Sequence, residues 1–363
     1  MITKKHLWVP NLPEKTELPI NESEIESARN ILRELGVPED EHDLMLGLAD
    51  ELPERFRRKR KHIQSLGVKL TEECGTLSVL KVEIPADFVM DSPIFLLELT
   101  RCVVAGDRKI IIEVGENASV SLVVGSPAPT IHSHNPVSVE LSLNSASSSH
   151  TKLAILHAYH PVTHVRSNIK MKIGGEATVE SSVVALHPGR MLIMEGEIDV
   201  NAGGSLRFSD TAFLQGDSQK VSWVHVRLNG LDSRAELNSA DFNFDESETK
   251  TAFFIEVMAG ARRAYGEIFS NGLNFSDSAR QTFLPGLVTH EEDVELHHGA
   301  SSGKWTPEQV EYLRSRGLFP KDIAVLLVES LLGARLYPML PQKLIRYTRC
   351  YVERIFRDRE ITF

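Results

Sequence analysis

From residue 71 the chain changes its pattern. Segments 77–84, 109–114, 119–124 and 137–143 alternate apolar and polar residues or run with β-branched ones. A period of two places successive side chains on opposite faces of a strand, so these segments predict β-structure. No long helical pattern interrupts them through residue 295. A body of about 220 residues made of short strands leaves a sandwich, a barrel or a β-solenoid.

Spacing favours the solenoid. A turn of Gly, Asn, Asp or Glu leads into a small residue and a strand at Gly115-Glu116-Asn117-Ala118, Gly174-Gly175-Glu176-Ala177, Ala202-Gly203-Gly204-Ser205 and Asp232-Ser233-Arg234-Ala235. Counted on the small residue the positions are 118, 177, 205 and 235, with Ser147 filling the gap, in steps of 29, 30, 28 and 30. A recurring step of this size marks stacked repeats. Each coil then adds one strand per sheet, and its backbone pairs with the coils above and below.

Helical patterns flank this body. Ser23 and Glu26 form a capping box ahead of Ile25, Ala28, Leu32 and Leu35 on one stripe, closed by Gly36 and Pro38. A second helical stretch covers 43–64, bent or broken near Pro53. At the other end, Thr306-Pro307-Glu308-Gln309 combines an N-cap, a proline at the first helical position and a capping-box Gln. That helix stops near Gly317; a second carries Ile323, Leu326, Leu327, Ser330 and Leu331 on one side, and a third over 341–357 carries Leu344, Tyr347, Tyr351 and Ile355. The division is therefore residues 1–70 helical, 71–295 β-solenoid and 296–363 helical. The last helices have two available roles: capping the open end of the solenoid, or docking another subunit.

Composition narrows the function. The 363 residues carry a net charge of −10, which argues against nucleic acid as the main partner. The basic run Arg55, Arg57, Arg58, Lys59, Arg60 and Lys61 follows an acidic stretch and reads as a solvated helix face rather than a lipid or phosphate contact. Cys74, Cys102 and Cys350 are far apart and odd in number, with no CxxC pair, so no disulfide framework or zinc knuckle is expected. No signal-peptide core and no membrane span is read, and the expected compartment is the cytoplasm. His157, His160 and His164 invite a metal reading; only His160 and His164 share a strand face, so ordinary surface or turn histidines are expected. Asp199, Asp210, Asp232 and Asp241 offer paired carboxylates if the solenoid were a cytosolic carbohydrate lyase or hydrolase, the alternative from a different functional class.

One stretch is far more specific. Asp293-Val294-Glu295-Leu296-His297-His298-Gly299-Ala300-Ser301-Ser302-Gly303 leads into Glu308-Gln309-Val310-Glu311-Tyr312-Leu313-Arg314-Ser315-Arg316-Gly317-Leu318. It resembles the C-terminal signature of the SufB/SufD family, and Arg263-Ala264-Tyr265-Gly266-Glu267-Ile268 resembles that family's final coils more loosely. The resemblance implies a right-handed parallel β-helix in a SUF iron–sulfur cluster assembly complex. It implies a SufB-like partner, or a second copy of the chain, and a SufC-like ABC ATPase held by the C-terminal helices. Tyr312, Leu313, Arg316, Ile323, Leu326, Leu327 and Leu331 are the expected docking residues. The chain contains no Gly-x-x-x-x-Gly-Lys-Ser/Thr string, so no ATP site is expected in it, and the role is a scaffold's rather than an enzyme's.

His298 matches the family histidine implicated in cluster assembly, and a neutral imidazole suits iron in a mostly thiolate site. The resemblance therefore implies His298 as a ligand to a transient, shared iron–sulfur cluster; the residue-level alternative is a surface pairing of His297 or His298 with Glu291, Glu292, Asp293 or Glu295. Leu296 stands where many relatives carry Cys, and no cysteine lies between 103 and 349. That departure makes the chain closer to SufD, with the partner expected to bring the sulfur ligands.

Overall fold

The computed structural model describes residues 54–74, 77–96, 107–126, 136–159, 161–303, 307–357 and 359, with five isolated positions before residue 54. The expected N-cap Thr306, the capping-box Ser23, His160 and Cys102 lie outside the described residues.

Two sheets face each other. The nine-stranded sheet holds β1 (Lys69–Glu73), β2 (Leu77–Ile84), β4 (Asp107–Val114), β6 (Val137–Ser145), β8 (His164–Ile173), β10 (Met191–Val200), β12 (Gln219–Leu228), β14 (Glu248–Val257) and β16 (Arg280–Thr289), in that order. The eight-stranded sheet runs from β3 (Ile94–Phe95) through β5 (Ser119–Gly125), β7 (His150–Tyr159), β9 (Thr178–Pro188), β11 (Ser205–Leu214), β13 (Arg234–Asn243) and β15 (Ala264–Asn274) to β17 (Val294–Gly303). Odd and even strands alternate between the sheets and pair in parallel with the next coil, which is a parallel β-solenoid; only β1 pairs antiparallel, with β2. The β-body continues to Gly303, past residue 295.

Inward positions make the core. Along β10 the inward residues are Leu192, Met194, Ile198 and Val200; their counterparts across the lumen on β11 are Leu206 and Phe208, and all are fully buried. From the second coil on, the corner after each even-numbered strand up to β14 turns at a residue with positive φ: Asn117 (55°), Ser148 (56°), Glu176 (58°), Gly203 (68°), Asp232 (58°) and Arg263 (54°). Only at 203 is this residue a glycine, which adopts the conformation without a Cβ penalty. The others are held by the stack, since each corner N–H donates to a carbonyl of the next coil, as Glu176 does to Ala202 at 3.1 Å and Asp232 to Arg262 at 3.0 Å. The residue after each corner is small and buried: Ala118, Ser149, Ala177, Gly204, Ser233 and Ala264. The solenoid and its step are as the spacing predicts, but the register moves. Ser149, Gly204 and Ser233 hold the places assigned to Ser147, Ser205 and Ala235.

A buried polar group interrupts the lumen. Lys220 Nζ donates to Asp210 Oδ2 and to Asp241 Oδ1, both at 2.7 Å, while Ser222 and Thr251 donate to the same two carboxylates at 2.8 and 3.0 Å. All three charged side chains are sealed from solvent. Their pairing offsets a desolvation that no single ion could bear.

Four α-helices are described. Helix α1 (Glu54–Ser65) buries Phe56 and Ile63. Helices α2 (Pro307–Ser315), α3 (Pro320–Arg335) and α4 (Gln342–Arg357) follow the β-body. The buried stripe of α4, Leu344, Thr348, Tyr351, Val352, Ile355 and Phe356, repeats every three or four residues. It packs with α3 against the outward-facing Leu156, Leu186, Phe213, Phe242 and Phe244. The helices thus cover the flank of the eight-stranded sheet, and the expectation that they cap the open end is corrected. Outward aromatics on β11 and β13 supply the apolar surface that the helical stripes need, and the last coil has none to match.

Among the described residues no helix is long and apolar enough to cross a membrane. Cys74 is disulfide-bonded, a lone bridge rather than a framework, and Cys350 is an exposed free thiol.

Candidate functional site at the open end and on the exposed helical corner

Among the described residues β16 and β17 are the last strands of their sheets, so each presents one backbone edge that no described strand pairs with. β17 is the most exposed long strand of the solenoid, with His297, His298 and the run 300–303 all open to solvent. Its register on β15 fixes which way each side chain faces. Leu296 pairs with Gly266 and His298 with Ile268, and Ile268 is a fully buried member of the core. Residues paired in register share a face. His298 therefore continues the inward row of Val294 and Leu296, at the point where the lumen opens, and carries no hydrogen bond or ion pair among the described residues.

His297 lies on the opposite face. Its Nε2 is 2.9 Å from Glu295 Oε1 and its ring stands 6.1 Å from that of Tyr265, whose hydroxyl donates to Glu267. The surface pairing read from the sequence is thus taken up by His297 and Glu295. Leu296 takes an inward position and packs against the core. Ser302 Oγ donates to Gln281 Oε1 at 2.9 Å, tying β17 to β16. Chemically the open end offers one unengaged imidazole beside two unpaired edges. Among the described residues no group of three or more His, Cys, Asp or Glu is arranged to hold a metal.

The helical residues divide by exposure. Tyr312 is 58% and Leu326 51% exposed, and Arg316 stacks on the Tyr312 ring at 5.2 Å. Ile323 and Leu327 are buried with Val310, Leu313 packs against that cluster, and Leu331 packs against the helix–sheet core. The reason is that α3 has two neighbours: Ile323 and Leu327 face α2, while Ala324, Val328 and Leu332 face the solenoid. Leu326 falls outside that arc, not on one stripe with its neighbours. Sequence reasoning missed Phe319, 73% exposed in the turn between α2 and α3, where its N–H donates to Asp322 Oδ2 at 3.0 Å. The signal was there: an apolar residue isolated between Gly317 and Pro320 has no helical stripe to join. Beside it, α3 and α4 enclose a groove of about 460 Å3 lined by Lys321, Val325, Leu326, Phe356 and Arg357 among others.

The remaining residues read from the sequence are dispersed. His157 is buried, not at the surface, with Nδ1 3.4 Å from the Tyr159 hydroxyl; burial, then the charges of Arg108 and Lys220, push it down to about 4. His164 sits on β8 of the other sheet. Asp199 accepts from Arg227 Nε at 2.7 Å on the outer face, which holds its carboxyl below the usual range. Asp232 pairs with Arg263 at the corner. Asp210 and Asp241 share Lys220 where no polysaccharide can reach. In the basic run, Arg58 donates to Glu54 at 3.1 Å and Arg60 to Glu72 at 2.9 Å, leaving an otherwise exposed helix face.

Comparison with known proteins agrees with this geometry. The chain is 28% identical over 239 residues to an iron–sulfur cluster assembly SufBD family protein of Pyrococcus horikoshii, covering 65% of this chain and 52% of that one. It is 41% identical over 73 residues to the iron–sulfur cluster assembly protein SufD of Bacillus subtilis, 20% of this chain and 16% of that one. Over 74 residues it is 32% identical to SufD of Escherichia coli, 20% and 18% of the two chains. The matches span about half the length of the archaeal relatives. The model of the SufBD core domain of SUF-system FeS cluster assembly matches residues 103–331, most of the solenoid together with α2 and much of α3, and the chain belongs to the SufB/SufD family.

Proposed function

We propose that this chain is a SufD-like, non-enzymatic scaffold of the cytoplasmic SUF iron–sulfur assembly machinery, with an N-terminal region ahead of the solenoid, a solenoid that runs on to Gly303 and a docking region after it. Its open end pairs with the matching end of a SufB-like subunit or of a second copy. A SufC-like ATPase docks on the exposed helical corner. The observation that carries this reading is the pair of unpaired edges on β16 and β17 with His298 on the inward row between them. A partner strand added to each edge would satisfy their backbone groups and enclose His298. The cluster is the cargo: His298 would contribute one imidazole to it, and the partner the thiolates. On the helices, Tyr312, Arg316 and Leu326, joined by Phe319, are the side chains free to meet the ATPase. Leu313, Ile323, Leu327 and Leu331 support that surface from below.

The test is co-expression with SufB-like and SufC-like chains. His298→Ala should leave the complex intact while iron-dependent absorbance on reconstitution falls several-fold; unchanged absorbance would sink the ligand role. Leu326→Asp, at a half-exposed position, should abolish ATPase co-purification with little change in melting temperature. Retention of the ATPase would move the docking site elsewhere.

A further inference from the structure

The two edge strands carry the same local device. On β16, Gly286 stands in register with Phe254 of β14, and a Cβ on that glycine would come within 2.4 Å of the Phe254 ring. On β17, Gly299 stands in register with Phe269 of β15, and a Cβ there would meet the Phe269 ring at 2.7 Å. Both rings lie on the outer faces of their sheets, since Phe253, Ile255 and Ile268 beside them point into the core. An aromatic ring laid over a cross-strand glycine shields the backbone that the glycine leaves bare and pins the pairing of the two strands. Each edge strand pairs with one described strand, so this is where pinning counts most.

Ring and glycine together select a register. The residues flanking Gly299 are His297, His298, Ala300 and Ser301, and each carries a Cβ. A slip of β17 by one or two places in either direction would put a Cβ where the Phe269 ring lies. A slip of one would also turn His298 from the inward row to the outer face. The pairing of Gly299 with Phe269 thus fixes the side on which the imidazole stands.

The two rings differ in what they rest on. Phe254 is buried and meets Trp223 of the preceding coil at 4.5 Å, so the solenoid holds it by itself. Phe269 is half-buried, and the group over its ring is the guanidinium of Arg335, 5.0 Å from the centroid. A cation is attracted by the negative face of such a ring. Arg335 is the last residue of α3, and its Nη1 lies 3.9 Å from Oε1 of Glu267, the residue in register with His297. Leu273, further along β15, packs against the cluster of Val310, Ile323 and Leu327. β15 is therefore the strand through which the helices reach β17.

We propose that Arg335 is a positioning residue for His298: through Phe269 it holds β17 in the register that keeps the imidazole on the inward row, and it puts that hold under the control of α3. A partner that shifts the end of α3 loosens β17 and leaves β16, which Trp223 secures, in place. The consequence for the cluster rests on the function proposed above, whereas the clasp is a property of this chain alone.

Hydrogen exchange of the full chain, read on the amides of β17, β16 and β13, tests the clasp. Phe269→Ala should speed exchange in β17 about tenfold and Arg335→Met about threefold, while β16 and β13 keep their rates. Phe254→Ala should do the reverse, loosening β16 and sparing β17. Gly299→Ala should match Phe269→Ala, and the two together should be no looser than either alone. In the complex with SufB-like and SufC-like chains, Arg335→Met should leave assembly intact and lower the iron-dependent absorbance. If His298→Ala does not lower that absorbance, the ligand reading falls, and the exchange rates still decide the clasp. Unchanged β17 exchange in Arg335→Met, an equal rise in β16 and β13, or additive loosening by Gly299→Ala and Phe269→Ala overturns the proposal. So does full absorbance in Arg335→Met where His298→Ala has lost it.

Discussion

The two outer faces of the solenoid share one backbone architecture and differ in what their outward positions carry. On the eight-stranded sheet these positions are Leu156, Val184, Phe213 and Phe242, and α3 and α4 cover them. On the nine-stranded sheet they are Lys109 and Glu140, 3.8 Å apart, Asp199 and Arg227 at 2.7 Å, and Glu256 between His225 and His290, each at 3.1 Å. Parallel sheets are usually covered on both faces. Here one face is covered by helices, while the other meets water with charge ladders running across the coils. Apolar residues interrupt the ladders at Ile111, at Ile193 beside Val221, and at Trp223 and Phe254, which meet at 4.5 Å. The difference locates the helical tail: its position is set by the parity of the outward residues on one sheet.

The comparison can be broken most directly at Phe213, which stacks on Phe242 at 4.7 Å and meets Tyr351 edge-on. Phe213→Ala should cost about 3–5 kcal/mol in urea unfolding, through lost burial and the cavity left behind. Acid should then separate the faces. His187, folded at about 4 against an unfolded value near 6.5, stabilises fully above that unfolded value, and the contribution is lost as pH falls toward 4. The helix-covered face should therefore weaken by about 2 kcal/mol between pH 6.5 and 4, and His187→Asn should flatten that slope. Asp199 has the opposite chemistry. Its carboxyl is held low, so its smaller contribution is lost only below the ordinary carboxylate range. Protection of α4 amides by hydrogen exchange across that window reports the order of loss. The smallest effect is Arg227→Ala: its ion pair is partly exposed, and about 0.5 kcal/mol or less is expected in the same urea assay.

Much of this was legible locally. Alternation and turn spacing encode strands and coil length, because both are properties of neighbouring residues. The register at the second corner was not, since Ser145, Ala146, Ser147, Ser148 and Ser149 are all small and any of them fits the turn; the stacked coil decides that Ser148 takes the positive φ and Ser149 the buried place. Burial of His157 and the sealed Lys220 group depend on which strand faces which across the lumen, a relation between coils far apart in sequence. The open end was legible through its motif around His298, but its openness was not. The helices that follow it in sequence might equally have folded over it, and only the outward aromatics of earlier coils draw them to the flank.

The antiparallel β1 gives the solenoid a polarity with respect to growth. At that end the reversed strand, carrying Lys69, Glu72 and Glu73, cannot continue the parallel stack as another coil would. At the other end β16 and β17 present two edges ready for pairing. In the proposed pairing, a like or related rod meets this end face to face. That contact uses up both edges, so association through it closes at a pair instead of extending coil upon coil.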